Sequence, residues 1–310
     1  MTTGETGMLR RARRRLGRET TERRARGLVR RHLDLPSQPD RGVWAVTSVR
    51  DEADTIGHVL DHLLAEGVQR ILVADHLSRD GTSDILAAYA RRHPVTVAPL
   101  TLDGFPQGAV MTVLARHAAR MGAEWIIPFD ADELWFGPSG QRLADYLLSR
   151  DEAIMRGPLW DYLATGNDDP AQPNPFERIN YRRDAPGGTT GGWFKVAFRA
   201  HRRAVLVIGN HAVQRPGQTG DGLVIAHYQF RSKEQFIRKV TQGSAAFDAA
   251  GLGGRAGHHW RDLAARQGDL DRLWSGLARD QTLPFDWWPV PTGLVYDPGC
   301  RLLRASLSAR

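Results

Sequence analysis

Three carboxylates stand together directly after an apolar run near the middle of the chain. The run ends at Phe129, and Asp130, Asp132 and Glu133 follow it. Two aspartates separated by one residue, just past the end of a strand, can direct both carboxylates at one cation. Mg²⁺ and Mn²⁺ take such oxygen ligands and keep positions open for phosphate oxygens. The pattern therefore predicts metal or phosphate chemistry, and the alternative is a solvated acidic turn that caps the next helix.

These carboxylates need a scaffold, and the residues before them predict one. Apolar runs rich in β-branched residues at 43–49, 70–75, 95–100 and 124–130 alternate with segments of helical periodicity. Such alternation is typical of an α/β domain with a mostly parallel sheet. Ligands of such sheets bind beyond the carboxyl ends of the strands. The polar residues at those ends include Ser48, Arg50, Asp75 and the acidic turn.

The second half of the chain adds basic and histidine side chains. We predict a strand over 193–199 that presents Lys195, and a strand over 223–228 that ends near His227. Helices are expected over 233–247 and 261–279. Arg231, at the start of the first of these helices, could clamp phosphate oxygens. The alternatives are a solvated lysine and a structural histidine. The glycine-rich run 187–192 is a candidate mobile loop.

Several carboxylates outside the first two positions of the acidic turn could act as a general base, the group that takes a proton from a reacting atom. Asp161 follows an apolar run and is the preferred candidate. Glu133, beside the acidic turn, is an additional one. The remaining candidates are Asp168, Asp169, Asp184 and Asp221.

The net charge of +7 belongs to one segment. Residues 1–41 carry 12 Arg and five acidic residues, and residues 42–310 are electrically balanced. A nucleic-acid-binding protein would have a basic body as well, so we expect no nucleic acid partner. Residues 8–33 could lie as a surface helix on an anionic membrane. The alternative is a solvated leader.

Domain boundaries and location follow from composition. We predict a partly disordered arm or surface helix over 1–41, a catalytic domain over 42–247 and a helical or irregular extension over 248–310. The single cysteine excludes an internal disulfide framework. The absence of a long apolar segment predicts a cytoplasmic protein, with the arm as a candidate contact to the inner membrane face.

Four turns, in order, make the chain resemble a family 2-type glycosyltransferase with the nucleotide-diphospho-sugar transferase (GT-A) fold. The resemblance is to the branch with Lys-Asn-Glu, Asp-Asn-x-Ser-x-Asp-Gly-Thr, Asp-Ala-Asp-Glu and His-Tyr-x-x-Arg-Ser turns. The matching segments begin at Arg50, Asp75, Asp130 and His227. Arg50-Asp51 replaces Lys-Asn and His76 replaces Asn, and these departures concern base specificity more than fold.

The resemblance implies a role for each turn. Ser48, Arg50 and Glu52 would line the base and ribose, Asp75 would accept a hydrogen bond from the base, and Asp80 would support the same turn. Asp130 would contact the ribose, and Asp130, Asp132 and His227 would hold Mn²⁺ or Mg²⁺. Lys195 and Arg231 would hold the diphosphate. Inversion at the sugar carbon is implied as well. The alternative enzyme, a nucleotidyltransferase of related fold, is disfavoured because the first turn is acidic and lacks a glycine-rich phosphate loop.

Overall fold

A computed structural model describes residues 21–102, 104, 106–187, 193–249, 263–265, 267–280 and 293–305. The candidate mobile loop 187–192 lies outside these residues except for Gly187, and so do residues 261, 262 and 266 of the predicted helix 261–279. The helices are α1 (residues 21–32), α2 (Ile56–Ala65), α3 (Thr82–Arg92), α4 (Gln107–Met121), α5 (Leu143–Leu148), α6 (Pro175–Arg178), α7 (Lys233–Ala249), α8 (Leu270–Asp280) and α9 (Arg301–Ala305).

The strands of the described residues form one large and two small sheets. They are β1 (Val43–Val49), β2 (Arg70–Asp75), β3 (Val95–Pro99), β4 (Trp125–Pro128), β5 (Glu133–Phe136), β6 (Ile154–Asp161), β7 (Tyr181–Arg183), β8 (Phe194–Arg199), β9 (Val205–Leu206), β10 (Val213–Gln214), β11 (Thr219–Asp221), β12 (Val224–His227) and β13 (Leu294–Tyr296). The large sheet has the order β3-β2-β1-β4-β8-β6-β12-β5, with β11 paired to β6.

The predicted α/β class with a mostly parallel sheet is confirmed. Strands β1, β2, β3 and β4 are parallel, and so are β6, β11 and β12. Strand β8 runs antiparallel to both β4 and β6 and joins the two parallel groups. The predicted bounds of β1 and β2 match the observed ones, because polar turns end each apolar run.

The sheet separates two apolar cores. Along β1, Val43 and Ala45 face one core and Trp44 and Val46 face the other, as the period of two in a strand requires. Helix α2 covers the first core and α4 covers the second. Burial on both faces explains why β1 is apolar almost throughout.

Part of the basic arm packs on the domain. Val29 of α1 is fully buried and Leu33 is 6% exposed, and both belong to the core under α4. His117 of α4 contacts the carbonyl of Pro36 at 3.0 Å, and Asp40 N donates to Met121 O at 2.9 Å. Residues 21–41 thus lie against the catalytic domain, and the boundary at residue 42 stays a prediction.

Candidate active site

The acidic turn lies where four strands end. Asp130 and Asp132 follow β4, and Glu133 begins β5. In the sheet, His227 at the end of β12 pairs with Glu133 on one side and with Asp161 of β6 on the other. Topology thus brings residues from distant parts of the sequence to one edge. Oxygen atoms of Asp130, Asp132 and Glu133 lie within 4.8 Å of one another.

Lys195 neutralises one side of this cluster. Its ammonium group contacts the carboxylate of Asp130 and lies 2.8 Å from Glu133 Oε1, and its side chain is 3% exposed. Glu133 is fully buried and accepts hydrogen bonds from the indole of Trp135 at 3.0 Å and from Asp130 N at 3.1 Å. Burial raises the pKa of Glu133, and Lys195 opposes that rise. Lys195 is therefore a buried partner of the acidic turn rather than a solvated residue.

Three basic side chains surround the carboxylate of Asp132. Its Oδ2 lies 2.5 Å from Lys239 Nζ and 3.7 Å from an Nη1 of Arg231, and its Oδ1 lies 3.9 Å from His227 Nε2. Burial alone would raise the pKa of Asp132, but Lys239, His227 and Arg231 together hold it well below its usual range. Asp132 is therefore a carboxylate at any physiological pH.

Asp161 holds His227 in place. Asp161 Oδ1 lies 2.8 Å from His227 Nδ1, and both side chains are largely buried. A hydrogen bond from Nδ1 leaves Nε2 directed at Asp132 with a free lone pair in the neutral ring. Gly187 lies over this pair, since a Cβ there would stand 3.0 Å from Asp161 Oδ2. Asp161, the candidate base, is therefore hydrogen-bonded to His227, the predicted metal ligand.

The first two turns are tied together by hydrogen bonds. The backbone N–H groups of three successive residues of the first turn donate to side chains of the second: Asp51 to Ser78 at 3.2 Å, Glu52 to Thr82 at 2.9 Å and Ala53 to Asp80 at 3.1 Å. Asp80 also accepts a hydrogen bond from Thr82 N. Burial alone would raise the pKa of Asp80, but these hydrogen bonds outweigh burial and lower it. Asp80 supports the turn, as predicted.

Arg231 links the first turn to the acidic turn. Its guanidinium is buried and lies 2.5 Å from Glu52 Oε2, 2.7 Å from Asp54 Oδ2 and 3.7 Å from Asp132 Oδ2. Three carboxylates surround this one cation, so its position is fixed by protein groups. A diphosphate contact by Arg231 stays a prediction.

The comparison with known families decides the class. A profile of glycosyl transferase family 2 matches residues 44–209, more than half of the chain. The chain belongs to glycosyl transferase family 2. The protein is a glycosyltransferase, and the nucleotidyltransferase alternative is not supported. No curated protein sequence matches it significantly.

Solved structures with similarity to this glycosyltransferase are distant in sequence. S. aureus TarS in complex with UDP-GlcNAc is 12% identical over 74% of this chain and 72% of that chain, with a TM-score of 0.38. GalNAc-T7 with UDP, GalNAc and Mn²⁺ is 13% identical over 64% and 47%, with a TM-score of 0.40. Glucosyl-3-phosphoglycerate synthase from Mycobacterium tuberculosis, with Mn²⁺, UDP and phosphoglyceric acid, is 20% identical over 38% and 43%, with a TM-score of 0.29.

The remaining predicted residues of this family 2 enzyme lie at the ends of β1 and β2. Ser48 Oγ and Arg50 Nε are buried atoms without a hydrogen-bond partner among the described residues, although Arg50 Nε lies 3.8 Å from Asp51 Oδ2. Asp75 accepts hydrogen bonds from Ser78 N at 3.3 Å and from the hydroxyl of Ser83. Ser48, Arg50 and Asp75 thus lie at the ends of two neighbouring strands. Their contacts with a donor stay predictions.

Sequence reasoning assigned no role in the site to Asp54, Lys239 or Asn210. Asn210 is fully buried, has a φ of 59°, and donates from Nδ2 to Asp130 Oδ1 at 3.0 Å. The left-handed conformation is one that asparagine tolerates better than most residues. The Gly209-Asn210 pair was the only available signal, and it indicates a turn but not its place beside the acidic cluster.

The ion pairs of Lys195 yield a stability prediction. Replacing Lys195 with methionine would leave the buried carboxylate of Glu133 and the partly exposed carboxylate of Asp130 without their cation, and we expect a loss of about 3–5 kcal/mol in the free energy of unfolding. The matched control is Lys233→Met, because the Lys233 side chain is 43% exposed and pairs with exposed Asp271 at 3.1 Å. That variant should lose less than about 1 kcal/mol. Urea denaturation measures both, and equal losses would contradict the assignment.

Proposed function

We propose that this glycosyltransferase moves a sugar from a nucleoside-diphosphate-sugar to a hydroxyl acceptor by a direct, inverting displacement assisted by a divalent cation. The observation that carries the proposal is the carboxylate cluster at the carboxyl end of β4, faced by the Asp161–His227 pair. In an open α/β sheet this edge is where ligands bind.

The chemistry of the donor set fits Mn²⁺ or Mg²⁺. Asp132 Oδ1 and His227 Nε2 face each other at 3.9 Å, and Asp161 fixes the ring through its other nitrogen. The oxygens of Asp130 accept from Lys195 and Asn210, but each carboxylate oxygen has two lone pairs and can also bind a cation. Asp130, Asp132 and His227 would therefore hold the ion. When bound, it would neutralise charge on the leaving diphosphate.

The protein groups around the cluster supply the rest of the donor site. Lys195 and Arg231 are cations beside the acidic turn, where they would balance the diphosphate. Ser48 Oγ and Arg50 Nε, buried without partners among the described residues, are suited to a polar ligand such as the base and ribose. Glu52, Asp75 and Asp80 shape the two turns that would enclose the nucleoside.

The acceptor proton needs a base, and we propose Asp161 for it. Its Oδ1 bonds His227, and its Oδ2 lies 4.0 Å from Arg183 Nε, close to Gly187. An inverting displacement needs one base and no protein nucleophile, so a single carboxylate in this position is sufficient.

A ligand screen tests the proposed function. The full chain is heated with each sugar nucleotide in the presence of Mn²⁺, Mg²⁺ or EDTA. A cognate donor should raise the melting temperature by mass action, and it should do so only with the metal. Release of nucleoside diphosphate from that donor then measures turnover. Donor binding that is equally strong in EDTA would reject the cation, and no response to any sugar nucleotide would reject the donor class.

A further inference from the structure

A second charged region lies far from the acidic turn and consists of arginines. A cavity of about 660 Å³ opens between the end of α4 and the segment that follows β8. Its lining contains no acidic residue; it consists of Ala119, Ala123, Ala200, His201, Arg202, Arg203, Gln214, Arg215 and Pro216. Arg202 and Arg203 are exposed at its rim.

Further arginines extend this region across α4 and α1. Arg116 is held beside the cavity by hydrogen bonds from Nε to Ala204 O at 2.7 Å and from Nη2 to Arg203 O at 3.0 Å. Burial, together with the nearby cations Arg26, Arg30 and Arg120, lowers the pKa of Arg116. The region therefore continues from the cavity to the docked helix of the basic arm.

These cations lack acidic partners. Within the part of the chain that the structure describes, no ion pair joins a carboxylate to any of Arg30, Arg116, Arg120, Arg202, Arg203 and Arg215. We call these six residues the arginine face. Elsewhere in the described residues, cations such as Lys195 and Arg231 are paired with two or more carboxylates. Like charges held together without counter-charges repel, and an anionic partner relieves that repulsion.

The arginine face is separate from the donor site. Ala123 precedes β4 and Ala200 follows β8, which pairs with β4 through Trp125 and Arg199. The acidic turn follows the other end of β4, five residues beyond Trp125. At about 3.3 Å per residue, the two regions lie on the order of 17 Å apart along the strand. A ligand of the arginine face would not compete with the donor.

We propose that the arginine face is a docking surface for an anionic phospholipid membrane. Its guanidinium groups are spread over two helices and two loops, which suits a plane of many phosphates better than one small ligand. The lining includes no Phe, Tyr or Trp ring on which a nucleic acid base could stack. Residues 1–20, with six Arg and two acidic residues, continue the same charge along the chain. The inference does not rest on the proposed reaction.

Vesicle flotation of the full chain tests this proposal. We expect binding to phosphatidylcholine vesicles that contain phosphatidylglycerol and none to phosphatidylcholine alone. The test variant is Arg120→Gln with Arg202→Gln and Arg203→Gln, all at exposed positions. Each arginine near an anionic surface contributes about fivefold to the partition coefficient, so this variant should bind about 100-fold more weakly.

A variant of equal charge provides the control. Arg91→Gln with Arg92→Gln and Arg301→Gln removes three exposed positive charges from α3 and α9. It should bind vesicles almost as well as the unchanged protein. Equal losses in the two variants, full binding by the test variant, or no binding of the unchanged protein to anionic vesicles would each overturn the proposal. Tight binding to duplex DNA without vesicle binding would overturn it as well and assign the face to nucleic acid.

Discussion

Replacing Asp132 with alanine is expected to reduce sugar transfer by at least about 10³-fold. Asp132 is the carboxylate on which Lys239, Arg231 and His227 converge, and it is 4% exposed. It stays ionised because Lys239, protonated His227 and Arg231 hold its pKa below the usual range despite burial. Without it, the proposed cation site loses the carboxylate that faces His227. The rate of nucleoside diphosphate release from the cognate donor measures the effect.

Two further variants make the result specific. Asp132→Asn keeps the shape of the side chain but removes its charge, so it should be nearly as inactive as the alanine variant. Asp84→Ala removes an exposed carboxylate from the first turn of α3 and should retain full activity. Because Asp132 also neutralises Lys239 and Arg231, circular dichroism must show that each variant is folded. A folded Asp132→Ala enzyme with full activity would mean that the acidic turn is not the metal site.

Replacing Asp161 with asparagine is expected to lower kcat by about 10²–10⁴-fold, the contribution typical of a general base. The amide cannot accept the acceptor proton. It also weakens the hold on His227, whose Nδ1 now bonds the carboxylate at 2.8 Å. Asp161 thus has two proposed roles, as the base and as the group that positions His227, and the two roles predict different effects on Mn²⁺ affinity. Loss of the base alone lowers kcat and leaves Mn²⁺ affinity intact.

The positioning role of Asp161 has its own signature. Loss of a carboxylate behind a metal-binding histidine typically weakens metal affinity by about 10–100-fold. Mn²⁺ titration of the Asp161→Asn variant, followed by donor-induced thermal stabilisation, separates that effect from loss of the base. Asp168→Asn is the matched control, since Asp168 bonds Thr165 within a local turn. Unchanged kcat and unchanged Mn²⁺ affinity in the Asp161 variant would refute both roles.

Among the described residues, no helix has the length and apolar character needed to span a bilayer.

Much of the first half of the fold could be read from the sequence. Strands β1 and β2 end at polar turns, and α2 ends at Ala65, two residues before Gly67, whose φ of 87° favours glycine. Helix α4 ends at Met121, directly before Gly122, whose φ of 108° also favours glycine. Ser232 Oγ accepts from Gln235 N at 3.1 Å and so caps the start of α7, in the predicted helix 233–247. Each of these features is local, so short-range periodicity and turn chemistry determine it.

The second half shows what local patterns omit. A strand was predicted over 193–199 and β8 covers Phe194–Arg199, but its antiparallel pairing with both β4 and β6 was not predicted. That pairing places Lys195 between Asp130 and Glu133, residues more than 60 positions away. The docking of α1 through Val29 and Leu33 was also missed, because so thin an apolar stripe gives no sign of the surface that covers it.

The sequence by itself determined the class of the protein, the strand ends that carry the acidic turns, and the confinement of excess charge to the first 41 residues. Those properties depend on neighbouring residues and on composition. Only the tertiary structure decided that Asp161, His227 and Glu133 lie side by side, that Arg231 is enclosed by acids, and that arginines from α1 and α4 share one face. Those relations depend on strand order and helix docking, which are set by packing between segments far apart in the chain.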